Sequence, residues 1–357
     1  MNTVHLLTYI RSLQTFTAKF RSLFMLIWMS FSFLLMEGCQ TSQSEVVTTF
    51  QDVVMTVQYR ILVGNPVSEV DKIRIQTIID STFEEIDNIY NKWNPQSEIS
   101  RLNSLKAYQT IPLSPQLFQL FKQIDALVIL SEGLFDPTIE PLQKLWKEKL
   151  HSQQLPSPDE IALIKPSIGW DKIHFEEGLF FKENSLTELD LGGIAKGFAI
   201  DLLISRLNEA GFPNLYVEWG GDIRTSGRHP AKRPWNIYIS HLDSTDPKDA
   251  IAFLSLNNQA IATSGDYFQY WTVISNNELQ TYCHIFNPLT LSPLKIRTGS
   301  IASASLVAND CLTADALAKV MMLFDSKEEA EQWVKKMQSQ IPSLAYWMLI
   351  RASFNPK

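Results

Sequence analysis

Apolar positions after residue 70 recur every three or four residues. Ile75, Ile78, Ile79, Phe83, Ile86, Ile89 and Tyr90 fall on one face with acidic residues between them, which predicts an amphipathic helix over 70–91. The same period predicts helices over 117–130, 198–210, 313–324 and 327–336. The first of these stops near Gly133 and the second at Gly211-Phe212-Pro213. A short helix is expected inside the polar insertion 156–166. Runs of β-branched and apolar residues predict a strand over 53–63, ended by Gly64-Asn65-Pro66. Further strands are expected over 215–219, 235–240, 252–256, 261–263 and 271–274. Strands and helices mix without strict βα alternation and without an internal repeat. That pattern favours an α+β fold over a doubly wound parallel sheet, as a single compact domain of mixed sheet and helices over 46–357.

Residues 1–38 follow a different pattern. Arg11, Lys19 and Arg21 precede an unbroken apolar and small run over 23–36. Fourteen residues fall short of the about 20 that span a bilayer, whereas a basic segment followed by a short apolar one makes a secretory signal. Leu35-Met36-Glu37-Gly38-Cys39 resembles a bacterial lipobox, with Met36 and Glu37 as departures from the usual residues. The expectation is a signal peptide over 1–38, lipidation of Cys39 and a polar tether over 39–45. The chain would then be a membrane-anchored lipoprotein of the bacterial cell envelope, facing the periplasm. An uncleaved N-terminal anchor is the alternative, and it leaves the body on the same side of the membrane. Of the three cysteines, only Cys283 and Cys311 then remain; their spacing neither demands a disulfide nor matches a zinc site.

Composition narrows the classes further. The 357 residues are 45% apolar and 19% charged, enough for a sizeable core. The net charge is -7, and residues 1–38 contribute +2, which leaves the body near -9. Such a body does not neutralise phosphates in bulk, so no nucleic-acid partner is expected, while local phosphate sites remain open.

Six segments carry candidate chemistry. In Asp190-Leu191-Gly192-Gly193-Ile194-Ala195-Lys196-Gly197, paired glycines before a helix allow backbone N–H groups and Lys196 to meet a phosphate. The spacing is neither a P-loop nor GxGxxG, and a Gly-rich turn with a solvated Lys196 is the alternative. Glu218-Trp219-Gly220-Gly221-Asp222 reads first as a tight turn with a carboxylate at its tip. Ala260 to Tyr267 sets small residues and hydroxyls after a strand. His284, in Cys283-His284-Ile285-Phe286-Asn287-Pro288, is a base or a hydrogen-bonded core histidine. Asp315 lies among small apolar residues on a helix expected to be buried, where a carboxylate needs a cation, a metal or hydrogen-bond donors. Lys319, one turn on, offers a plain ion pair, and Thr313 or Asn309 is placed to cap the helix. Leu134-Phe135-Asp136-Pro137, continuing through Pro141 to Trp146, is a loop able to frame a flat ring or simply a bend.

The order of these segments is more specific than any one of them. FDPTIEPLQKLW, DLGGIAKGFAID, EWGGDIRTSG, IATSGDY, HIFNP and CLTADALAK occur in that sequence in one chain. The chain thereby resembles the ApbE family, the FAD:protein FMN transferases, over roughly residues 46 to 350. The resemblance implies a catalytic domain that takes FAD as substrate with Mg²⁺ at its pyrophosphate. A Thr or Ser hydroxyl of a target flavoprotein attacks the FMN-side phosphorus and AMP leaves. The implied acceptor is a subunit of a membrane redox complex of the Na⁺-translocating NADH:quinone reductase type. The alternatives are an FAD pyrophosphatase, with water as nucleophile, and a non-catalytic FAD-binding lipoprotein.

By the same resemblance, Asp315 and a main-chain oxygen of Gly193 are implied metal ligands, with Ala195 a nearby candidate. Met55, Trp93, Leu134, Phe135, Asp136, Asp190 and Lys196 are implied FAD contacts, and His284 and Asp315 the catalytic pair. Two departures stand out: Lys319 occupies a position where the family usually places a Thr or Ser metal ligand, and Asn287 replaces a common Asp. An ammonium offers only donors, so Lys319 is expected to act as a partial substitute for a cation.

Overall fold

The computed structural model describes residues 46–354 apart from 243, 245, 268 and 276. The expected signal, Cys39 and the polar tether therefore lie outside the described residues. None of the described helices is long and apolar enough to cross a membrane.

The chain opens with an antiparallel hairpin, β1 (Thr48–Val54) and β2 (Val57–Val63). A single strand over 53–63 was the expectation; the chain instead reverses at Met55 and Thr56, with φ of +48° and +64°. Such a two-residue turn normally announces itself with Asn or Gly, and neither is present here. Helix α1 (Glu69–Tyr90) follows, capped by Ser68 in a reciprocal box with Asp71. Its buried face is Ile75, Ile79, Phe83, Ile86 and Tyr90. Then come α2 (Glu98–Ser104), the short β3 (Ile111–Pro112), α3 (Pro115–Leu130), α4 (Glu140–His151) and α5 (Pro158–Ile164). Helix α4 corrects the loop expected around Pro141, which sits in the first helical turn, where its missing N–H costs nothing.

Beyond β4 (Ile173–His174) and β5 (Leu179–Lys182) runs helix α6 (Ala195–Glu209), then β6 (Leu215–Trp219) and β7 (Asp222–Ser226). The remaining strands are β8 (Trp235–Ile239), β9 (Ala252–Leu256), β10 (Ala260–Gly265), β11 (Tyr270–Ser275), β12 (Glu278–Asn287), β13 (Ser292–Ile296) and β14 (Ile301–Ala308). Helices α7 (Cys311–Met321) and α8 (Lys327–Gln340) and strand β15 (Ala345–Ile350) complete the order.

Seven strands form one antiparallel sheet in the order β1-β2-β6-β7-β10-β14-β15. Side-chain alternation sends Ile61, Val63, Leu215 and Val217 toward α1, α6 and α7, where the main core lies. Tyr216, Ile223 and Ile261 point the other way, into a second core with Trp235, Ile237 and Leu256 of the β8–β9 hairpin. All eight residues of β14 are buried, since the strand is paired on both sides and carries side chains into both cores. A separate three-stranded sheet, β11-β12-β13, packs on α4 through Leu142, Trp146, Val273, Tyr282 and Phe286. Trp146 fixes this contact by donating its indole N–H to the Leu291 carbonyl at 3.0 Å.

Candidate active site

Helices α6 and α7 cross at unusually close range. A Cβ on Gly197 would overlap the Cys311 carbonyl and lie 2.9 Å from the Leu312 Cα. The first turn of α7 is held by α6 itself, because the Asp201 carboxylate accepts the Cys311 and Leu312 N–H groups, each at 2.9 Å. Asp310, rather than Thr313 or Asn309, is the N-cap. Gly197→Ala should therefore cost about 1–3 kcal/mol, since the clash is with backbone that cannot rotate away. Denaturant unfolding checks this; an unchanged midpoint would mean the helices separate without penalty.

This crossing places two buried carboxylates beside each other at the sheet. Asp315 of α7 is ion-paired with Lys319, and its Oδ2 accepts the Gly197 N–H at 3.3 Å. Asp222 opens β7 after the turn at Gly220 and Gly221, both with positive φ. It is ion-paired with Lys196 of α6, and its Oδ1 accepts the Thr263 N–H of β10 at 3.2 Å. The carboxylate expected at a turn tip is buried, and the lysine is paired with it rather than simply solvated. Burial pushes the Asp222 carboxyl up and the nearby Asp315 charge adds to this, while Lys196 and Lys319 pull it down. Burial would lower the Lys196 ammonium, but Asp222 and Asp315 outweigh it and hold it above its ordinary value.

The two ammoniums form part of the lining of a cavity of about 450 Å³. Leu134, Phe135 and Asp136, the Gly192-Gly193 turn, Thr263 to Gly265 and His284 of β12 line it as well. Trp93 is a lining residue yet 78% exposed, with the Lys92 ammonium 5.0 Å from its ring centroid. Helix α6 starts at Ala195 without a cap from its own N-cap residue Ile194, and its amino end, whose Gly197 N–H meets Asp315, faces the Gly192-Gly193 turn. A second charged group sits nearby: Lys92 is paired with Glu140 and lies 3.1 Å from Asp190. Asp190 also accepts from Gln143 at 2.7 Å and from the Gly192 N–H at 2.8 Å. Burial would raise the Asp190 carboxyl; Lys92 and these donors more than offset that and hold it below its ordinary value. Asp136 is pushed up by burial, against the Thr138 hydroxyl and N–H that it accepts.

His284 hydrogen-bonds the Gln269 carbonyl through Nδ1 at 3.2 Å. A carbonyl can only accept, so Nδ1 carries the proton and Nε2 is left as an acceptor. Burial lowers the imidazole below its ordinary 6.5, assisted by the positive charges of Lys319, Lys147 and Lys196, so it is neutral at pH 7.

The structure gathers Trp93, Leu134, Phe135, Asp136, Asp190, Gly193, Lys196 and His284 around one cavity. Asp315 lies behind Lys319, and Met55 sits at the β1–β2 turn and is not among the lining residues, whereas Val57, two residues on, is. Lys92, Gln143 and Lys147 also line the cavity and escaped the sequence reading. Gln143 and Lys147 lie one turn apart on α4, so recognising that helix would have exposed the pair. Cys283 and Cys311 are free and buried, without a disulfide. Burial pushes the Cys283 thiol up to about 12.

A family model described as the ApbE family matches residues 52–345. A Chlamydia pneumoniae protein named FAD:protein FMN transferase is 41% identical over 297 residues, covering 83% of this chain and 90% of that protein. A solved Vibrio cholerae structure titled flavin transferase ApbE is 26% identical, with a TM-score of 0.71 over 85% of this chain and 94% of that one. A Pseudomonas stutzeri flavinyl transferase ApbE structure, at 24% identity and a TM-score of 0.72, covers 87% and 93% and shares the fold.

Proposed function

The chain belongs to the ApbE family, and from that premise we propose how its cavity performs the family's chemistry. It is an FAD:protein FMN transferase, with FAD as substrate and a protein as acceptor. The observation that carries the reading is the pair of lysine ammoniums, held on buried carboxylates, in one cavity with His284. Two fixed cations and a helix amino end suit a pyrophosphate, and Leu134, Phe135 and Trp93 suit the flat isoalloxazine ring. Because each cation is already anchored, little reorganisation is needed as charge shifts in the transition state.

The acceptor's Thr or Ser hydroxyl oxygen attacks the FMN-side phosphorus. The new P–O bond forms as the pyrophosphate P–O bond breaks, and AMP departs with the bridging oxygen. His284 Nε2 takes the hydroxyl proton, since Nδ1 is committed to Gln269. Lys196 and Lys319 stabilise charge on the phosphoryl oxygens.

The magnesium ion implied by the resemblance needs oxygen lone pairs from Asp315 and the Gly193 carbonyl. Here one Asp315 oxygen meets the Lys319 ammonium and the other the Gly197 N–H. Among the described residues, no group of three or more His, Cys, Asp or Glu is arranged to hold a metal. This donor set does not fit a resident divalent ion while Lys319 stays in place.

The acceptor we propose is an extracytoplasmic flavoprotein subunit of a membrane redox complex of the Na⁺-translocating NADH:quinone reductase type. A lipid at Cys39 would hold the enzyme at the periplasmic face of the membrane. The N-terminal signal pattern supports this placement, and recovery of the chain in the soluble cytoplasmic fraction of its host would sink it.

The test mixes the full chain, in detergent micelles, with FAD and such an acceptor subunit. The expected result is flavin fluorescence on the denatured acceptor band with one AMP released per flavin transferred. AMP with free FMN and an unlabelled acceptor would replace transfer by hydrolysis.

A further inference from the structure

We propose that Lys319 is a built-in counter-ion for the FAD pyrophosphate, so that this chain binds FAD without a divalent metal. The inference rests on the reading of the cavity as an FAD site and concerns what supplies positive charge there.

The charges are already balanced. Asp222 and Asp315 are two buried carboxylates, and Lys196 and Lys319 are two ammoniums seated on them. Every carboxylate oxygen has a donor: Lys196 and the Thr263 N–H on Asp222, Lys319 and the Gly197 N–H on Asp315. A divalent ion placed on Asp315 would have to displace an ammonium, and no carboxylate in this cluster is left in excess to neutralise it. Buried charges settle where they are paired, and here the pairing is complete without an added ion.

The geometry is built around the lysine stem. A Cβ on Gly193 would approach Lys319 Cδ at 3.3 Å and Cε at 3.5 Å, so the stem lies directly against the glycine backbone. The lysine therefore fills the space between Gly193 and Asp315 that a shared ligand would occupy. Its side chain is 28% exposed, against 2% for Asp315, and it lines the cavity. An ammonium has three N–H donors. One is spent on Asp315, and the others are available to anion oxygens entering the cavity. Lys196 is 30% exposed on the neighbouring wall, so a pyrophosphate meets two ammoniums rather than one.

The test measures FAD affinity and thermal unfolding of the full chain in micelles, in EDTA and in excess Mg²⁺. For the natural chain, Kd for FAD should change by less than about threefold between the two buffers, and Mg²⁺ should leave Tm unmoved. Lys319→Thr puts a lone-pair oxygen one turn after Asp315 and removes the ammonium. In EDTA it should weaken FAD binding about tenfold or more, and Mg²⁺ should restore much of the affinity and raise its Tm. A natural chain whose FAD affinity falls more than about threefold in EDTA, and recovers with Mg²⁺, overturns the inference and leaves the transferase reading standing. A natural chain that binds FAD in neither buffer overturns both. Should Lys319→Thr fail to fold, the comparison of the natural chain in the two buffers still decides.

Discussion

His284→Ala should lower the rate of flavin transfer by about 10²–10⁴-fold while FAD binding changes little, because a positioned base contributes on that scale. His284 is held by two contacts to one residue, since its backbone N–H and its ring Nδ1–H both donate to the Gln269 carbonyl, at 3.1 and 3.2 Å. That fixes the ring and the tautomer together. The natural enzyme should also show a defined pH dependence. A base works when neutral, so kcat/KM rises with pH through the histidine pKa and is flat above it. Burial and the neighbouring lysines hold that pKa below its ordinary 6.5, which puts the acid limb below pH 6.5. The lowered pKa keeps the base competent at neutral pH at some loss of basicity. Single-turnover transfer measured across pH with the natural chain and the variant separates the roles. An acid limb that persists unchanged in His284→Ala would assign it to another group, and a variant with full rate would remove the histidine from proton transfer.

The helices were the most legible part of the sequence. The apolar period over 70–91 marks a helix found at Glu69–Tyr90, and that over 198–210 one found at Ala195–Glu209. The latter starts three residues early because the Gly-Gly turn leads straight into it without a side-chain cap. Strands at 215–219 and 252–256 coincide with β6 and β9, where alternation and flanking turn residues agree. The mixed α+β architecture follows from the same pattern. Legibility failed where one local signal masked another. Pro141 suggested a bend although it opens α4, and the Met55-Thr56 reversal has no glycine to mark it. At the site, the motifs carried the loop, turn and helix that line the cavity. Partners distant along the chain were invisible: nothing local pairs Lys92 with Glu140, or Lys196 with Asp222. Those pairings arise only when α6 packs on β7, and when the segment after α1 meets the first turn of α4. The i,i+4 spacing of Asp315 and Lys319 was readable, and the ion pair it allows is present.

Lys196→Met should destabilise the fold by about 3 kcal/mol, and the reason lies in the asymmetry of its ion pair. The Asp222 side chain is 1% exposed, whereas that of Lys196 is 30% exposed. Removing the lysine leaves a carboxylate that water cannot reach, and breaking a buried pair from that side costs about 3–5 kcal/mol. Lys319 also favours the Asp222 charge, which places the expected loss near the lower end of that range. Removing the carboxylate instead leaves an ammonium that can turn to solvent, so Asp222→Asn should cost less. Asn keeps an oxygen for the Thr263 N–H, so the double variant Lys196→Met/Asp222→Asn should recover most of the lost stability. It should not recover FAD binding. A charge-assisted contact of this kind is worth about 1.5–3 kcal/mol, or roughly 10–150-fold in Kd. Thermal unfolding and FAD titration of the three variants therefore separate folding from function at one position. Equal stability of Lys196→Met and the natural chain would deny the buried pair its structural weight. A double variant that binds FAD as the natural chain does would leave Lys319 to carry the anion alone.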